Sequence, residues 1–138
     1  MSLFGGLSIS ASGLTAERVR MDVIAENLAN AESTRGANGL PYQRKQVVLG
    51  AASGGGTSFA DTLAGVRVKA VVDDQSPGRK VYDPTHPDAD KQGFVTMPNV
   101  NTVTEMVDLI TATRGYEANI QALNAAKTMF SRTLEILR

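Results

Sequence analysis

The stretch "YDPTHPDAD", residues 82–90, gathers the side chains in this sequence with the most obvious chemistry: the single histidine, His86, lies within four positions of Asp83, Asp88 and Asp90. Three carboxylates and an imidazole are the parts of a divalent-cation site or of an acid–base pair. On that reading the chain is a small metal-binding hydrolase using His86 and the nearby aspartates. The local sequence argues the other way. Pro84 and Pro87 bracket the histidine and stiffen the backbone on both sides of it. The chain holds no second histidine and no cysteine to complete a ligand set, and this spacing promises no partner to orient the imidazole. A solvated, proline-stiffened loop is the plainer reading, with no catalytic residue, no metal and no cofactor expected.

The elements that must carry such a loop are not those of a compact enzyme. Hydrophobic residues make up 42% of the 138 positions, enough for a core, yet aromatic residues make up only 5% and tryptophan is absent. Ala, Leu, Val and Ile carry the apolar weight, in stripes near the two ends of the chain, a distribution that favours helix contacts over a globular centre. Lys+Arg and Asp+Glu both count 14, so the net charge is zero and nucleic acid is not an expected partner. No apolar run reaches the ~18 residues of a membrane span. The opening "MSLFGGLSISASGL" is broken by Gly and Ser, and the first basic residue is Arg18, so it lacks the charged start and apolar middle of a secretory signal. Polar faces of mixed sign, without tryptophan, also fit a lipid-surface helix poorly.

Three segments follow from periodicity. Over residues 3–31, Leu7, Leu14, Met21 and Leu28 recur every seventh position, flanked by Ala11, Ile24, Ala25 and Ala31. This predicts a long amphipathic helix with a coiled-coil-like seam, stopped by Asn27, Asn30 and "STRGANG". All five prolines lie between Pro41 and Pro98, together with most of the glycines, so the centre holds no long helix. Its "YQRKQVVL" at 42–49 and "VRVKAVV" at 66–72 read as strands, the second with Val66, Val68, Ala70 and Val72 on one face. "RKVY" at 79–82 and "GFVTM" at 93–97 are weaker candidates, and "GAASGGGTS" at 50–58 is flexible low-complexity sequence. A small sheet of two to four strands is expected. After Pro98, Thr102 and Glu105 have the spacing of a capping box. Leu109, Ala112, Tyr116, Ile120, Leu123, Ala126, Phe130, Leu134 and Leu137 then advance by threes and fours on one helix.

The expected fold is therefore mainly α with a small β insert: long N- and C-terminal helices paired as a coiled-coil-like rod domain, around a central short-stranded segment. The divisions fall at 1–32, 33–98 and 99–138. One helix pair with wet outer faces buries little against the conformational entropy of ordering it, so further copies packing around it are expected. Small residues at Gly13 and Ala11, and at Gly115, Ala118, Ala122, Ala125 and Ala126, are read as flanks that let another backbone approach, with Asn119 fixing register across the contact.

The same residues carry a family resemblance that covers nearly the whole chain. "SISASGLTAERVRMDVIAENLANAES" at 8–33 and "TRGYEANIQALNAAKTM" at 113–129 resemble the terminal signatures of bacterial flagellar rod and hook proteins. "PYQRKQVVL" at 41–49 and "VYDPTHPDADKQGFVTMPNVN" at 81–101 are similar to the proximal-rod branch of that family. The resemblance implies a structural subunit, not an enzyme, that leaves the cell unfolded by type III export and polymerises into the periplasm-spanning rod of the basal body. Its implied partners are its own copies, other rod proteins, and the export gate and membrane-ring components at the rod base. A sister rod or hook-family axial component is the alternative within the family. Carried over to this chain, the assembly interface is Leu7, Leu14, Met21, Ile24, Leu28 and Asn30 of the first helix, with Tyr116, Ala118, Asn119, Ile120, Leu123, Phe130 and Leu134 of the last. Gly115 stands where serine or alanine is usual, and Thr102 where proline often follows "PNVN".

Overall fold

A computed structural model describes residues 3–36, 38–52 and 65–136. Two helices dominate it, α1 (Leu3–Ala29) and α2 (Thr102–Ile136), joined by four short strands in the order β1 (Lys45–Ala51), β2 (Val66–Asp73), β3 (Lys80–Tyr82) and β4 (Phe94–Thr96). The helices run antiparallel, side by side. Asn27 meets Glu105 at one end, Met21 meets Thr113 in the middle, and Gly13 lies against Asn119 further along. In that register Leu3 stands level with about residue 130. At about 1.5 Å per residue, α1 extends about 40 Å and α2 about 52 Å, so the last turns of α2 run past the start of α1.

Both inner helix ends are closed by asparagine. At the end of α1 the Asn30 amide nitrogen, Nδ2, donates to the Glu26 carbonyl at 2.9 Å, and the Asn30 backbone carbonyl accepts from the Ser33 N–H at 3.0 Å. At the start of α2 the capping residue is Asn101, one position before the expected Thr102. Its Oδ1 accepts from the N–H groups of Val103 and Thr104, and its carbonyl accepts from the Glu105 N–H. Glu105 does not close a capping box. Its side chain turns inward, because an arginine waits there.

The strands form two separate ladders and not one sheet. β1 pairs antiparallel with β2, from Lys45 opposite Asp73 to Ala51 opposite Val66, and the register slips between Val48 and Leu49. Val48 faces Ala70 while Leu49 faces Val68, which leaves Lys69 as the extra residue of a bulge. β3 and β4 pair over only three residues. The β1–β2 hairpin lies lengthwise on α1 and is pinned at both ends: Lys45 N–H donates to Asn27 Oδ1 at 2.9 Å, and Val66 N–H donates to Ser12 Oγ at 3.0 Å. Fifteen helical residues and seven strand residues both cover about 22–24 Å, so the two pins match. Gly65, at φ +90°, makes the approach to Ser12 in a backbone conformation that side chains disfavour.

The expected dry face of β2 is not dry. Only Val68 is half-buried, while Val66, Val71 and Val72 are exposed, since among the described residues nothing covers the outer side of the hairpin. Among the described residues the buried apolar core is correspondingly thin: Ala16, Val23 and Ile24 of α1, Ala112 of α2, and Val95 in β4. Of the low-complexity stretch read at 50–58, only the first residues fall among those described; the rest lies outside them.

Candidate assembly interface

Among the described residues the most buried side chains are not leucines. Asn27 is 1% exposed and Glu105 is fully buried, and they bond to each other across the helix pair at 3.0 Å. The Asn27 amide is completely used. Its Nδ2 donates to Glu105 Oε2 and to the Lys45 carbonyl, and its Oδ1 accepts from Tyr42 Oη and from the Lys45 N–H, each at 2.9 to 3.0 Å. Glu105 Oε1 accepts from Arg44 Nε at 2.5 Å, and the Arg44 guanidinium also reaches Asp108 at 3.6 Å and Asp74 at 3.9 Å. Asn99 completes the set: its Oδ1 accepts from the Arg44 N–H, and its Nδ2 donates to the carbonyls of Asp74 and Ser76. This latch ties α1, α2 and the open end of the hairpin together. Burial raises the Tyr42 hydroxyl above its ordinary pKa, with the Glu26 charge adding to it. The hydrogen bond from Lys45 Nζ to the Glu26 carboxylate, at 2.5 Å, raises Lys45.

The positions assigned to the interface by resemblance divide into two groups. Ile24 is buried, and Leu7, Leu14, Met21, Leu28, Tyr116, Asn119 and Leu123 are half-buried, the inner positions being drawn together where α1 meets α2. Ala118, Ile120, Phe130 and Leu134 are exposed, Ile120, Phe130 and Leu134 with 37 to 52% of their surface reaching solvent in the single subunit. Asn30 is half-buried as well but serves the end of α1, and the inward-facing asparagine of "NLANA" is Asn27. Asn119 bonds back to the Gly115 carbonyl at 2.9 Å, and its amide covers Gly13 so closely that an added Cβ there would sit 3.1 Å from it. Close packing therefore occurs at Gly13. At Gly115 a Cβ would lie at an ordinary 3.4 Å from the Glu17 carboxylate.

Sequence periodicity missed a second apolar line on α2. Val103, Met106, Val107 and Ile110 follow one another at helical spacing on the side away from Glu105 and Ala112, and all four are 55–69% exposed. The signal was present in the sequence. The longer stripe through Leu109 and Ala112 satisfies the helix pattern by itself and masks it.

The aspartates around His86 are occupied in shaping turns. Asp83 Oδ1 accepts from the Thr85 hydroxyl and N–H, which holds its carboxyl below the usual range. Asp90 Oδ1 accepts from the N–H groups of Phe94 and Gln92, with the same consequence. Asp88 receives Thr34 and Arg35, and His86 Nδ1 accepts from the Asp88 N–H at 3.1 Å. Among the described residues no three of His, Cys, Asp and Glu are grouped to hold a metal ion. No helix of the described residues is long and apolar enough to cross a membrane.

Comparison with known proteins agrees with an assembly role. A family model described as "Flagella basal body rod protein" matches residues 7–37, and one described as "Flagellar basal body rod FlgEFG protein C-terminal" matches residues 91–136. Over full length the chain is similar to the flagellar basal-body rod protein FlgC of Bacillus subtilis, at 46% identity with 99% of each chain covered. It is 42% identical to the protein of the same name from Borreliella burgdorferi, with 100% of this chain and 99% of the relative covered. The relative from Salmonella typhimurium is 44% identical, over 99% of this chain and 98% of its own.

Proposed function

The chain belongs to the FlgC family of flagellar basal-body rod proteins and is a structural subunit of that rod, and from this premise we propose that it polymerises there through its paired terminal helices. The observation that carries the reading is the half-open pair. Its inner line closes on Asn27 and Glu105, while Ile120, Phe130 and Leu134 continue the α2 stripe with 37 to 52% of their surface in water. In the rod those side chains meet other subunits. The segments 1–32 and 99–138, which carry α1 and α2, form the axial core, and residues 33–98 lie outside it. The place is the proximal rod, reached by type III export of the unfolded chain, with its own copies, other rod proteins, the export gate and the membrane ring as neighbours. The protein works by shape and contact, without catalysis. The loop around His86 serves as turn structure, since each carboxylate in it already accepts hydrogen bonds from the chain.

Deletion of the gene tests the premise, and two substitutions test the surface. Loss of swimming and of rod density in isolated basal bodies is expected on deletion, with rescue by the intact chain. Leu134→Glu is expected to block rescue, because it places a charge on an apolar contact, while His86→Ala is expected to rescue fully. A deletion strain that still swims overturns the rod reading; full rescue by Leu134→Glu overturns polymerisation through this helix.

A further inference from the structure

The outward faces of the two helices are complementary to each other, although within one subunit they point away from one another. Along α2 the outer line runs Val107, Ile110, Arg114, Glu117, Gln121, all exposed. Along α1 the outer line, read toward its N-terminus, runs Ala29, Ala25, Asp22, Arg18, Thr15, again all exposed. Set antiparallel, the two lines match position by position. The large apolar residues Val107 and Ile110 fall on the small Ala29 and Ala25, Arg114 falls on Asp22, Glu117 on Arg18, and Gln121 on Thr15. None of these four charged side chains forms an ion pair among the described residues of its own subunit.

We propose that the outer face of α2 in one copy docks on the outer face of α1 in a second copy, in the antiparallel register that brings Arg114 to Asp22 and Glu117 to Arg18. The inference rests on the rod-subunit reading and supplies the contact that reading lacks. The second copy is chosen by charge: a shift of one turn along the same faces sets Arg114 near Arg18, and like charges facing each other select against that register. The apolar end of the contact, Val107 and Ile110 on Ala29 and Ala25, supplies the desolvated area, and the charged pairs fix alignment. The two faces differ, so the contact is heterologous, and a heterologous contact repeated from copy to copy builds an open array or a ring in place of a closed twofold dimer. Each copy then presents a free α1 face at one side and a free α2 face at the other.

The native chain has no cysteine, so paired substitutions report the contact directly. Basal bodies are isolated from cells carrying full-length protein with both Asp22→Cys and Arg114→Cys, oxidised mildly, and resolved under denaturing conditions. The expected result is a ladder of dimers and higher multiples that is absent from either single substitution. As a second measurement, Arg114→Asp and Asp22→Arg are each expected to lower incorporation into basal bodies, and the two combined in one chain to restore it. A double-cysteine chain that is incorporated yet stays monomeric on oxidation overturns the register and leaves the rod assignment intact. Dimers from Asp22→Cys alone, or additive losses in the charge-swapped pair, also overturn it. If the unsubstituted chain is absent from basal bodies, the rod reading fails and this contact with it.

Discussion

All four hydrogen-bonding positions of the Asn27 side chain are filled by protein groups, so any substitution there leaves buried donors and acceptors without partners. Asn27→Ala is expected to cost about 1–3 kcal/mol, the scale for stranding a buried polar group, read as a lower urea midpoint with an unchanged slope. Tyr42 gives the latch a pH dependence of definite sign. Its proton is held more tightly in the fold than in the unfolded chain, so its contribution is complete below about pH 10 and declines as pH rises through the folded value. Lys45, raised by its bond to Glu26, acts in the same direction. Stability measured across the alkaline range is therefore expected to fall, and Tyr42→Phe is expected to flatten that fall while lowering the plateau below it. An alkaline limb unchanged in Tyr42→Phe removes the tyrosine from the latch.

At the scale of elements, the long helices were legible because heptad and three–four spacing are properties of adjacent residues, and both appear within a few positions of their expected bounds. The four strands were legible for the same reason. Their separation into two ladders was not, because pairing is decided by where the loops carry each strand and not by its own residues. The latch was hidden for a similar reason: Asn27, Arg44 and Glu105 are far apart in sequence, and only the polar residue at 27 on an otherwise apolar line hinted at it. Thr102 and Glu105 had the spacing of a cap, but Arg44 offers Glu105 a charge-assisted bond that a helix end cannot equal. The glycines resolve in opposite ways. Gly115→Ala meets only ordinary contact with Glu17 and removes a helical glycine, so it is expected to stabilise the isolated subunit by about 0.5–1 kcal/mol. Gly13→Val must displace the Asn119 amide and is expected to destabilise; thermal unfolding of the two variants side by side distinguishes them, and a loss of stability in Gly115→Ala contradicts the packing described.

For the molecule as a whole, order is concentrated at the end of the helix pair where the hairpin and the latch converge. Amides of α2 between Glu105 and Tyr116 are expected to exchange with deuterium more slowly than those between Asn124 and Glu135 in a dilute solution of single subunits, with the difference shrinking on assembly. Uniform protection along α2 in dilute solution would sink that gradient. The latch also sets a condition on when the structure appears. Asn27 and Glu105 are 78 positions apart. A chain delivered one end first, by synthesis or through a narrow opening, exposes either partner long before the other. Closing so long a loop carries an entropic charge that nothing in the intervening residues repays early. The latch therefore closes only when both partners and the 78 positions between them are free together, so a chain held extended anywhere between Asn27 and Glu105 keeps it open.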